Sequence, residues 1–178
     1  MKFMDTTEIT NELKKSETAI IKFFESREPA FWEKKPEGKW TAGQHIIHLV
    51  QSTRPLLKAV SLPGFFLKWK FGTSNRPSRT YDQVVARYLE KLASAPDVVS
   101  PFSSKMPESP AGEKQRWFSE LSQLNDKLNK KTAKLTDRQL DTLIVPHPLL
   151  GKMTLREILM WNTFHTEHHR RVLLEKYV

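Results

Sequence analysis

Trp161-Asn162-Thr163-Phe164-His165-Thr166-Glu167-His168-His169-Arg170-Arg171 holds three of the chain's six histidines within five residues. Leu155, Ile158, Leu159, Asn162, His169 and Leu173 recur through it at helical spacing, with His165 and Val172 at the edge of the same face. The segment therefore reads as a helix. Thr154-Leu155-Arg156-Glu157 opens it as a capping box, and it runs to about Lys176. His165 and His169 are four residues apart and leave the helix on one side, one turn apart. His168 lies about 100° round and should face outward. Glu157 and Glu167 fall off the inner face and are expected to take no part in chemistry. Met160, Phe164 and Leu174 are expected outside as well. Two imidazoles in an apolar stripe are costly to bury without hydrogen bonds or a metal. A His-x-x-x-His pair is how one helix presents two nitrogens to one ion. Core histidines bonded to carbonyls or to each other are the competing reading.

Working outward, the same logic finds three more long helices. Ile9, Leu13, Ile20, Phe23 and Phe24 mark one over residues 6–27, opened by Asp5 and Glu8. Thr41-Ala42-Gly43-Gln44 opens a second, with Ile46, Val50, Thr53 and Leu57 as its stripe and Pro55 in its interior, where a kink is expected. Ser109-Pro110 starts a third, to about Leu135. Shorter helical pieces are expected at 80–95 and after Thr136. Trp32 and Trp40 should close one end of the core. Phe65, Phe66, Trp69 and Phe71 lie in a loop or short helix that packs on the bundle or on a partner chain. Residues 96–110, with four prolines and four serines, read as an exposed insertion, and Ile144–Gly151 as extended and turn-rich. The expected fold class is all-α: a four-helix bundle with crossover connections and short additional helices, in a single domain over residues 1–178.

Composition narrows the chemistry. The chain has 178 residues, 38% of them hydrophobic and 28% charged, which suits one soluble domain. There is no cysteine, so disulfides, zinc–thiolate sites and a cysteine nucleophile are excluded. No apolar run has the length of a signal peptide or a membrane span, and a cytoplasmic location is expected. The net charge of +9 raises nucleic acid or anionic substrates as partners. The basic residues are scattered, however, and Lys127, Lys130, Lys131 and Lys134 read as a solvated helix face. No helix-turn-helix or aromatic reading surface accompanies them, so nucleic acid ranks last among the partners considered. No Ser-His-Asp set or phosphate-binding glycine loop stands out.

Two histidines leave a catalytic zinc-type site short of its usual three protein ligands. His45 and His48 on the second helix and His147 before the last helix are the candidates. His48 lies away from the Ile46, Val50, Thr53 and Leu57 stripe, on a side that is either solvent or a wet cavity. Periodicity alone does not choose among them.

Trp40-Thr41-Ala42-Gly43-Gln44-His45-Ile46-Ile47-His48-Leu49 resembles the Trp-Ser/Thr…His-Leu signature of DinB-like proteins. His147-Pro148-Leu149-Leu150-Gly151-Lys152-Met153-Thr154, with the segment through His165 and His169, resembles their C-terminal part. The resemblance implies a four-helix bundle holding a divalent metal, commonly zinc or nickel, on three histidines. Carried over by position, these are His48, His165 and His169. It also implies a homodimer, and a family that includes thiol-dependent transferases acting with bacillithiol or mycothiol. The expected function is a metal-dependent transferase or hydrolase acting on a small molecule, with a low-molecular-weight thiol as possible cosubstrate. A non-enzymatic metal-binding module is the alternative, followed by a nucleic-acid-binding stress protein.

Overall fold

The computed structural model describes residues 3–94 and 106–178. Five short polar motifs set the helix boundaries. Asp5/Glu8, Thr41/Gln44, Thr80/Gln83, Thr136/Gln139 and Thr154/Glu157 each form a reciprocal capping box, in which side chains satisfy backbone N–H groups that the first turn leaves free. The helices they open are α1 (Thr6–Glu25), α2 (Ala42–Ser61), α4 (Tyr81–Ala93), α6 (Asp137–Thr142) and α7 (Leu155–Tyr177). Between them lie α3 (Gly64–Phe71) and α5 (Lys114–Thr132). The expected start of α5 at Ser109-Pro110 is instead a 3-10 turn, Ala111–Glu113, that leads into it. α2 continues through Pro55 to Ser61.

The long helices α1, α2, α5 and α7 form the bundle. α1 packs on α5 and α7, and α2 packs on the same two, so the sequence neighbours α1 and α2 sit across the diagonal. That arrangement requires the crossover connections expected from the loop lengths. α4 lies along α7, and α3 packs on strand β1. The stretch read as extended is a hairpin, β1 (Ile144–His147) with β2 (Gly151–Thr154), paired antiparallel. His147 closes it. Its Nδ1 accepts from the backbone N–H groups of Leu149 and Leu150, both at 3.1 Å. Gly151 follows at φ +73°, a conformation that favours glycine. Among the described residues no helix is long and apolar enough to cross a membrane.

α7 is the central helix. Every residue from Met153 to Thr166 is buried. Met160 and Phe164, expected on the outside, are therefore buried instead; Phe164 packs edge-on against Tyr88 of α4. Glu157, also expected outside, is completely buried. It accepts from Arg76 Nη1 and Nη2 at 2.6 and 2.9 Å and from the Arg79 backbone N–H at 2.7 Å. The one-face rule fails on α7 because α4 and the connection before it cover a second face. Leu174, further along, is exposed as expected.

Residues 95–105, most of the expected insertion, lie outside the described residues. The described end, 106–110, is tied down. Ser109 is buried, its carbonyl accepts from Trp32 Nε1 at 2.9 Å, and the Pro107 carbonyl accepts from Gln44 Nε2 at 2.9 Å. Trp32 closes one end of the core, as expected, against Phe24 and Phe118. It also explains Gly43. A Cβ at position 43 would lie 2.3 Å from the Trp32 ring. Gly43→Ala is therefore expected to cost about 1–3 kcal/mol through overpacking. It should also disturb the turn of α2 that carries His45 and His48. Urea unfolding monitored by Trp fluorescence checks this; an unchanged midpoint would show that Trp32 can move aside freely.

Candidate metal centre

Two helices bring the histidines together. α2 and α7 run antiparallel: His45 meets His169 and Tyr177, whereas His48 meets His165. On α7 the pair falls between Phe164, in one apolar cluster, and Leu173, in the other. The His48 and His165 Nε2 atoms are 3.2 Å apart, and those of His165 and His169 are 3.1 Å apart. All three residues are buried. Among the described residues no carboxylate joins this group. Zn–N bonds of about 2.05 Å at tetrahedral angles put ligand nitrogens about 3.3 Å apart. The observed separations match that spacing, and the three imidazoles could hold a metal ion.

The other histidines separate cleanly. His168 turns out of the cluster, as its helical position predicts, and its ring packs beside Tyr88 and Phe164. His147 is a turn residue whose ring packs edge-on against Trp161, 4.3 Å between centroids. His45, the other α2 candidate, supports the triad from behind.

That support fixes a tautomer. Tyr177 Oη donates its single proton to the Trp40 carbonyl at 2.8 Å. The 3.0 Å contact between Tyr177 Oη and His45 Nε2 must then have His45 donating. A neutral His45 accepts at Nδ1, 2.8 Å from His169 Nδ1, so His169 donates there. His169 Nε2 is left with its lone pair, aimed at the other two rings. Neutral rings are expected throughout. Burial pushes His45 down to about 3 and His48 to about 4, with nearby histidines adding to the effect. Burial and then the neighbouring imidazoles hold His165 and His169 well below the ordinary range.

Two indoles wall the site. Trp161 stacks on His165 at 4.5 Å and 18°. Trp40, half-buried, lies over His48 at 5.1 Å and nearly parallel to His169 at 6.4 Å. Its expected role as a core plug is thus a covering role over the histidines. His48 Nδ1 and His165 Nδ1 are buried with no hydrogen-bond partner among the described residues. Beside His48 and His165 a cavity of about 360 Å³ opens between α2, α3, α4, the hairpin and α7.

A family model described as the DinB superfamily matches residues 12–173. The chain belongs to the DinB superfamily. Comparison with curated proteins gives no match, and neither does comparison with solved structures. In this DinB chain the match spans α2 and nearly all of α7, so it includes every residue of the histidine cluster except Tyr177. Sequence reasoning missed Tyr177 and the supporting role of His45. The i, i+3 spacing of His45 and His48, which puts both on one side of α2, was the available signal.

Proposed function

We propose that this protein is a metal-dependent enzyme in which His48, His165 and His169 hold one divalent ion, zinc or nickel, and that it acts as a transferase or hydrolase. The observation that carries the proposal is the convergence of three buried imidazoles beside a cavity, with His165 Nε2 at 3.2 and 3.1 Å from the Nε2 atoms of His48 and His169. A bound ion would lower the pKa of a coordinated thiol or water and stabilise its anion as nucleophile. The chain has no cysteine, so any thiol comes from a cosubstrate such as bacillithiol or mycothiol. Trp40 and Trp161 exclude bulk water, and Tyr177 and His45 orient His169. A purely structural ion has no need of a cavity against two of its ligands, which favours an enzyme over a binding module.

The test is metal-dependent consumption of a low-molecular-weight thiol by an electrophile, with zinc-loaded and nickel-loaded protein. Stoichiometric metal without turnover on any thiol or ester would favour the binding module instead. Tyr177→Phe checks the orienting chain separately. Tyr177 bonds His45, and His45 in turn bonds the ligating His169, so the loss is expected at the low end of the about 10–100-fold in metal affinity typical of an outer partner. Competition with a chelating dye measures it; an unchanged Kd would show that the His169 tautomer is set elsewhere.

A homodimer is part of the same proposal. Phe65 and Trp69 on α3 are 76% and 79% exposed, and Leu174 on α7 is 46% exposed. Light scattering that gives a monomer at micromolar concentration would reject it.

A further inference from the structure

The cavity beside the triad has a chemical bias of its own. Its walls are apolar, built from Leu56, Ala59, Leu62, Phe71, Leu149 and Ile158. Among the described residues no carboxylate lines it. Among the described residues its charged lining residues are Lys58 and Lys70, and both are exposed, so they stand where the cavity meets solvent. Neither has an ion-pair partner among the described residues. The polar side chains deeper in are neutral, so the lining lysines at the mouth carry the fixed charge. His147 accepts two backbone bonds at Nδ1, which leaves Nε2 to carry the proton. Trp161 Nε1–H is buried and has no partner among the described residues. Tyr88 is held protonated, burial pushing it up to about 12. Ser52 spends its proton on the Leu49 carbonyl.

The size sets a second limit. A volume of 360 Å³ falls in the range of small-molecule pockets. An occupant of small-molecule size therefore suits it. An apolar body suits the walls. An anionic end suits the ammonium groups at the mouth, where water still reaches it and the cost of burying a charge is avoided.

We infer that this cavity binds a small amphiphilic carboxylate, with the carboxylate at Lys58 and Lys70 and an apolar body running in towards His48 and His165. The inference deepens the proposed enzyme reading by naming a substrate class for the same site, but binding itself does not depend on the ion. It is therefore tested on chelator-treated protein, where loss of the metal reading would leave the result intact.

Calorimetry with decanoate and with decanol, which shares the apolar body without the charge, makes the test. Decanoate should bind about tenfold more tightly than decanol, the size expected of two partly exposed charge pairs. Lys58→Gln/Lys70→Gln should remove that difference and leave decanol binding unchanged; both side chains are exposed, so the variant is expected to fold. Equal binding of the two probes, absence of binding by either, or an unchanged decanoate preference in the double variant would each overturn the inference.

Discussion

His165→Ala is expected to reduce tightly bound divalent metal from about one ion per chain to background, because a site of three imidazoles reduced to two loses its fixed geometry. His165 is the middle member of the triad: its Nε2 lies 3.2 Å from that of His48 and 3.1 Å from that of His169. No other histidine can take its place. His168 faces Tyr88 and Phe164, and His147 is committed to its turn. His168→Ala should consequently retain full metal, although it sits three residues from His165. Elemental analysis of both variants after a mild chelator wash makes the comparison. Thermal unfolding of the stripped proteins controls for the hole left beside Trp161. Undiminished zinc or nickel in His165→Ala would end the three-histidine assignment. Loss in both variants would point to the surface of α7 instead.

That contrast shows where the sequence was legible. Spacing alone turns His165 and His169 inward and His168 outward, because rotation along a single helix is local information. The five capping boxes are local too, and each opens a helix as read. His48 was not legible in this way. It lies off the stripe of Ile46, Val50 and Thr53 because α2 buries two faces, one in the bundle and one against the cavity. Only the family resemblance pointed to it. Tyr177 was invisible for a different reason: its hydroxyl meets the Trp40 carbonyl across 137 positions of chain. Met160, Phe164 and Glu157 were misread together. A rule that assigns one buried face to a helix cannot describe α7, whose buried stretch from Leu155 to Thr166 is covered all round.

Glu157 and Glu167 looked alike in the sequence, yet their replacement should differ sharply. Glu167 is partly exposed and pairs with Arg170 and Arg171 one turn on. Such pairs are worth about 0.3–0.5 kcal/mol, so Glu167→Ala should barely move the unfolding midpoint. Glu157 is completely buried, and its two oxygens accept from Arg76, Arg79 and the Thr154 N–H. Burial opposes its ionisation, but the Arg76 bonds and the others outweigh it and hold the carboxyl below its usual range. The stability from this shift is present above the unfolded-state pKa near 4.5 and is lost as pH falls towards the folded value. Breaking a buried pair costs about 3–5 kcal/mol. Arg76 and Arg79 keep about a third of their side-chain surface in water, so Glu157→Ala belongs at the lower end, near 3 kcal/mol. Glu157→Gln should be nearly as costly, since its NH2 group would face donors. Urea denaturation at neutral pH measures all three variants. The consequence reaches the site as well. Glu157 pins the connection between α3 and α4 to α7, and those elements supply Lys70, Phe71 and Tyr88 to the cavity. Glu157→Ala should therefore weaken decanoate binding under conditions where the protein is still folded, while Glu167→Ala leaves it intact. Equal small effects from both glutamates would show that the arginine cluster is solvated and that the cavity wall does not depend on it.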